Sequence, residues 1–227
     1  MLPEAVCDRL SESQDVGLVL CRTPHGNTHT GITFAWAGQL YLYHQAFHYL
    51  TRAEAFDEEI TRIGGASLVV AVPYPPARQK AIAGFLNSLR LVDPQYPYSL
   101  RYDPDAVIDP VLGRLVTNAG LGLSCVSFVL AILRSCRVQL VDAATWPTDR
   151  PEDLLAQESL IGFLTGRTTP EHLEAVKAER GCTRIRAEEA VAAGGFLQYP
   201  VQYDVAEPAS IGLLVRLDRP EPETVSD

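Results

Sequence analysis

The chain has 227 residues, 47% of them hydrophobic and 21% charged, with a mean hydropathy close to zero (+0.02). Those proportions exclude a disordered chain and leave enough apolar mass for a full core without covalent staples. A formal net charge of −9 disfavours a nucleic-acid partner or an anionic membrane surface, since either requires a basic face.

No apolar run approaches the ~20 residues of a membrane span, and no basic segment followed by an apolar one opens the chain. A cytoplasmic protein with no membrane span and no nucleic-acid partner is expected. Cys7, Cys21, Cys125, Cys136 and Cys182 are odd in number and scattered, with no CxxC among them. Neither a disulfide framework nor a four-thiolate zinc site is expected from that pattern.

Residues 3–12 have weak helical character. The apolar run from Val16 to Cys21 reads as a buried strand, and residues 23–27 carry turn chemistry. His29 to Phe34 and Leu40 to Ala46 are rich in aromatic and β-branched residues on either side of Trp36-Ala37-Gly38, which predicts a hairpin. Thr51 to Ile63 has helical spacing up to the Gly64-Gly65 stop, Ser67 to Val72 reads as a strand, and Ala77 to Leu91 as an amphipathic helix.

The Pro- and Tyr-rich stretch 93–110 supports no long element, though Tyr98 to Tyr102 suits a short strand. Residues 117–124 form a glycine-broken turn before Cys125 to Leu133, whose length and small residues favour a buried helix. Arg137 to Val141 reads as a strand, 152–193 as two or more helices with a loop near 168–170, and Ile211 to Leu217 as a last strand. The order predicts an α+β protein whose mainly antiparallel sheet packs on a buried helix. A single domain over 1–218 is expected, with a helical insertion at about 150–195 and a flexible acidic tail at 219–227.

Four of the five histidines fall at 25, 29, 44 and 48. A hairpin that pairs His29 with His44, its turn between Trp36 and Ala37, sets the two imidazoles side by side on one face and Ile32 opposite Tyr41. Two touching imidazoles supply a base and its orienting partner once a nucleophile is near. Cys125 suits that role: Ser124 is a good N-cap for its helix, and a thiol there faces unpaired N–H groups and the positive end of the dipole. The same N–H groups, beginning with that of Cys125, would receive an oxyanion, with Tyr98 or Asn118 as further donors. His25 and His48 read as bystanders. Ser124 and Ser127 are alternative nucleophiles without a GxSxG elbow around them. The His25-x₃-His29 and His44-x₃-His48 spacings suit metal ligands on a helix, whereas both stretches read as turn and strand, so no metal or cofactor is expected.

The pattern His29-Thr30-Gly31-Ile32 followed by Gly38-Gln39-Leu40-Tyr41-Leu42-Tyr43-His44-Gln45-Ala46 resembles the histidine hairpin of NlpC-type papain-like cysteine peptidases. Ser124-Cys125-Val126-Ser127-Phe128-Val129 resembles that family's nucleophile helix. Because Cys125 follows the hairpin, the order resembles the circularly permuted branch, which also includes enzymes similar to lecithin:retinol acyltransferase. Ser124 stands where those acyltransferases carry Asn. The resemblance implies a permuted papain-like fold and a cysteine peptidase or amidase that cleaves a peptide, isopeptide or peptidoglycan-type amide. Cys125 would be its nucleophile, His29 its base and His44 the residue orienting that base, with a peptide or protein as substrate. The alternatives are an acyltransferase or thioesterase on the same cysteine, or a non-catalytic interaction module using the hairpin as an aromatic strip.

Overall fold

The computed structural model describes residues 6–7, 9–11, 14–117, 122–148 and 150–219. Six strands form one antiparallel sheet: β1 (Val6–Cys7), β2 (Val16–Arg22), β3 (Thr28–Trp36), β4 (Gln39–Phe47), β5 (Leu50–Ala55) and β6 (Ser67–Ala71), in the order β1-β6-β2-β3-β4-β5. A separate two-stranded ribbon joins β7 (Val107–Ile108) to β8 (Leu115–Val116). The described helices are α1 (Phe56–Ile63), α2 (Pro76–Val92), α3 (Cys125–Ser135), α4 (Pro151–Leu164), α5 (Pro170–Ala178), α6 (Ala187–Gly194) and α7 (Tyr203–Leu217). Among the described residues no helix is long and apolar enough to cross a membrane.

The period-two alternation of β2 divides the core. Val16, Leu18 and Leu20 join Ile32, Phe34 and Tyr43 in a large cluster that receives Phe128, Val129 and Ile132 of α3 and side chains of α2, α6 and α7. Val19 and Cys21 point the other way, into a smaller cluster with Leu42, Val69 and Phe56, against which Ile60 and Ile63 of α1 pack. Both faces of the sheet are therefore covered, which is why β2 reads as an unbroken apolar run. The expected α+β architecture, an antiparallel sheet on a buried helix, is the observed one.

Several elements differ from the sequence reading. The β3–β4 hairpin turns at Ala37 and Gly38, both with positive φ, and pairs Trp36 with Gln39 and Ile32 with Tyr43. The register is thus two residues from the one that pairs His29 with His44. A slip of two leaves every side chain on its original face, so the two histidines stay on one face as diagonal neighbours. Thr51 to Ala55 continues the meander as β5 and the helix starts only at Phe56, because the turn at His48-Tyr49 brings Leu50 back against Phe47. Val6–Cys7 is a strand against β6, not part of a helix.

Residues 98–102 form no strand, and of 137–141 only Val141 pairs, in an isolated bridge to Val201. The largest departure is 211–217, which is the second half of α7. Its inward face is Ala206, Ala209, Ser210, Leu213 and Leu217, a helical period that begins upstream on small residues and leaves Ile211 and Val215 each 53% exposed. Asn118 and most of the tail at 219–227 lie outside the described residues.

Candidate active site

Cys125 is the first residue of α3. Ser124 caps the helix by a reciprocal box: its hydroxyl accepts from Ser127 N–H (3.1 Å) and its own N–H donates to Ser127 Oγ (2.7 Å). Both hydroxyls thereby serve the cap. The first bond of the helix runs from Phe128 N–H to Ser124 O, so the N–H groups of Cys125 and Val126 have no partner within the helix. Both residues line a cleft of about 720 Å³, together with His29, Tyr98, Phe163 and Arg184 among others.

From the other layer come the histidines. Gly31 allows β4 to pass close to β3 at this point, since a Cβ on it would lie 2.9 Å from both His44 Cβ and Tyr43 O. His29 Nε2 then meets His44 Nδ1 at 2.7 Å, with the rings edge-on at 4.8 Å. His44 Nε2 reaches Glu59 Oε1 of α1 at 2.9 Å, and Arg62 closes the line by an ion pair to the other carboxylate oxygen. His44 is 3% exposed and Glu59 1%.

The hydrogen bonds fix the tautomers. A carboxylate accepts, so His44 carries its proton on Nε2 and offers the Nδ1 lone pair to His29 Nε2–H. His29 Nδ1 remains for the thiol. Burial lowers the His44 pKa to about 4 against the pull of Glu59, so this ring stays neutral. Burial alone would raise the Glu59 carboxyl, but the His44 hydrogen bond and the charges of Arg62 and Arg52 hold it below its ordinary value. Burial likewise acts to raise the Cys125 thiol. The His29 ring, through charge and a hydrogen bond, together with a backbone hydrogen bond from Thr30 and the charge of Arg184, more than offsets this and leaves the thiol below its ordinary pKa. Burial pushes Cys21 the other way, to about 12, and Cys136 and Cys182 to about 11.

Tyr98 completes the group. Its segment is brought in by the residues just before the nucleophile: Leu123 N–H donates to Pro97 O at 2.8 Å, and a Cβ on Gly122 would lie 1.9 Å from that same oxygen. The Tyr98 phenol acquires a raised pKa, first from burial and then from the Cys125 thiol, against a hydrogen bond from the Cys125 backbone. The phenol and the Cys125 N–H thus stand together beside the sulfur.

Beyond them, Asp153 of α4 accepts from Arg150 (2.5 Å), Arg186 (2.8 Å) and Arg184 (3.2 Å), so the charged wall of the cleft is internally paired. The opposite end is aromatic, with Phe47 and Phe163 in edge contact at 4.9 Å.

The structure therefore brings Cys125, His29, His44 and Tyr98 to one place. His25 lies exposed on the rim of the cleft. His48 is more engaged than a bystander, since its Nδ1 accepts from Tyr98 N–H. The sequence reading missed Glu59, Arg184 and His172. Glu59 had a visible signal: Phe56, Glu59, Ile60 and Ile63 share one face of α1, and a carboxylate on an otherwise apolar face demands a partner. Arg184 and His172 gave none, because each meets the site only through tertiary folding. No known protein family, curated protein or solved structure matches the chain.

Proposed function

We propose that the protein is a cysteine hydrolase that cleaves an amide bond, with a papain-like arrangement in circularly permuted order. The observation that carries this reading is the line Cys125–His29–His44–Glu59, in which a thiol of lowered pKa at a helix N-terminus meets a bonded histidine pair ending on a buried carboxylate.

In the proposed reaction His29 Nδ1 holds the thiol proton and Cys125 Sγ attacks the carbonyl carbon. Negative charge passes to the carbonyl oxygen, which enters between the Cys125 N–H and the Tyr98 hydroxyl. The C–N bond breaks as His29 returns the proton to the leaving amine, leaving an acyl thioester. Water, deprotonated by the same imidazole, then releases the acid and regenerates the thiol. His44 stays neutral throughout, because its low pKa keeps the proton on His29; Glu59 favours the imidazolium through the His44 N–H dipole and its own charge. The resemblance of the hairpin and helix to NlpC-type peptidases supports a peptide, isopeptide or peptidoglycan-type amide as substrate, and a cytoplasmic setting fits the first two.

The test is the pH dependence of iodoacetamide alkylation at each cysteine, located by mass spectrometry, in wild type and His29→Ala. Fast reaction of Cys125 alone below about pH 7, slowed in the variant, is expected. Alkylation of Cys125 that follows an ordinary thiol titration whether or not His29 is present would refute the reading.

A further inference from the structure

The segment 96–101 runs past the nucleophile without belonging to a strand, and its backbone groups are satisfied one at a time. Tyr96 O accepts from Tyr49 N–H (2.8 Å) and Gln45 Nε2 (2.9 Å), and Pro97 O from Leu123 N–H (2.8 Å). Leu100 and Arg101 N–H donate to the buried Glu179 carboxylate at 2.9 and 3.3 Å, which also accepts from Ser99 Oγ. Between these anchors, the peptide groups of Tyr98 itself are held by two histidines. Tyr98 N–H donates to His48 Nδ1 at 3.0 Å, and His172 Nε2 donates to Tyr98 O at 2.8 Å. The two rings lie against each other, centroids 4.7 Å apart.

We infer that His48 and His172 are positioning residues for Tyr98: they grip its peptide from both sides and so fix the phenol beside the Cys125 sulfur, and the grip at His48 exists only while that ring is neutral. The inference rests on the cysteine-hydrolase reading above. A backbone N–H can only donate, so His48 Nδ1 must be bare, and the ring's single proton sits on Nε2, where it donates to Thr168 Oγ1 at 3.0 Å. Protonating His48 puts N–H against N–H and breaks that contact.

Burial lowers the His48 pKa and the neighbouring His172 lowers it further, while Cys125 and Arg184 are the charged groups acting on the Tyr98 phenol. Near neutral pH the grip is closed. Acidification opens it and withdraws one of the two oxyanion donors.

Two reactions of Cys125 separate these effects. Alkylation by iodoacetamide needs only the thiolate, whereas acylation by p-nitrophenyl acetate also develops an oxyanion. The ratio of acylation to alkylation rate, followed between about pH 5.5 and 8, therefore reports Tyr98 placement alone. In wild type the ratio is expected to fall on the acid side. Tyr98→Phe is expected to lower it about tenfold at every pH with alkylation unchanged. His48→Asn keeps an acceptor near the Nδ1 position and cannot titrate, so its ratio is expected to match wild type at about pH 7.5 and to stay flat toward acid. His48→Phe is expected to show the Tyr98→Phe loss.

A ratio that falls in His48→Asn as it does in wild type overturns the inference, and this comparison stands even if His48→Phe fails to fold. So does a folded His48→Phe with the wild-type ratio. Slow, His29-independent alkylation of wild-type Cys125 is a separate outcome, which overturns the hydrolase reading and this inference with it.

Discussion

Two pairs of histidine rings meet in this site at nearly equal separations, 4.8 Å for His29 and His44 and 4.7 Å for His48 and His172. The first pair is bonded nitrogen to nitrogen, and its inner ring ends on a buried carboxylate. The second pair bonds outward, to the two sides of the Tyr98 peptide and to the Thr168 hydroxyl. The far-end partner decides what such a pair can do. A carboxylate behind a neutral imidazole lets the outer ring hold a positive charge at the thiol. A hydroxyl and a peptide offer no such counter-charge, so the second pair is fitted to hold a shape.

The sharpest way to break that distinction is to remove the outer ring of each pair. His29→Ala is expected to slow acylation of Cys125 by p-nitrophenyl acetate about 10³-fold at neutral pH, through loss of the general base. His172→Leu is expected to cost less than about tenfold and to leave alkylation unchanged, since the thiol–imidazole pair is intact. Equal losses in the two variants would erase the difference between the pairs.

The next effect is on stability. The folded-state pKa of His44 lies near 4 against an ordinary 6.5, so between those values the unfolded chain binds a proton that the folded chain refuses. Stability from this residue is fully present above about pH 6.5 and is lost as the pH falls toward 4, on the order of 3 kcal/mol in all. Urea midpoints at about pH 7 and 5 should separate in wild type and draw together in His44→Asn. The lowered pKa of half-buried His48 adds a smaller slope of the same sign. An unchanged slope in His44→Asn would place the acid sensitivity elsewhere.

Glu59→Gln probes the carboxylate itself. Gln keeps an acceptor for His44 Nε2–H but removes the charge, so the His29 imidazolium loses support and the Cys125 thiol pKa rises. Acylation at about pH 7 is expected to fall 10- to 100-fold, with alkylation of Cys125 shifted to higher pH. A variant with the wild-type alkylation profile would show that the carboxylate only completes the packing of α1.

How far the sequence displays this arrangement depends on the range of the interaction. The strands β2 and β6, the hairpin and the helices α2 and α3 are written in local periodicity and caps. Even a hairpin register two residues off sets His29 and His44 on one face, because the side-chain period of a strand is two. The β5 segment misleads because its alternating charges also fit a helix, and 211–217 misleads because the small residues Ala206, Ala209 and Ser210 that mark the helical face precede the window. Tyr98 is nameable as a donor but not placeable. What places it is Gly122 against Pro97, Glu179 beneath residues 99–101, and two histidines separated by more than a hundred positions in sequence.

The smallest expected effect lies at the hydroxyl end of the second pair. Thr168→Val keeps the shape of the side chain and removes the oxygen that accepts from His48 Nε2–H. His48 is only half-buried, so water can replace that acceptor, and the Tyr98 N–H continues to require a bare Nδ1. The neutral ring therefore keeps its tautomer and loses only part of its orientation. Acylation by p-nitrophenyl acetate is expected to fall about two- to threefold, with unchanged alkylation of Cys125 and an unchanged pH slope of stability. Glu59 has no such substitute, because its carboxylate is buried and its contribution is a charge. A Thr168→Val loss as large as that of Glu59→Gln, accompanied by a shift in the Cys125 titration, would mean that the second pair also supports charge at the thiol.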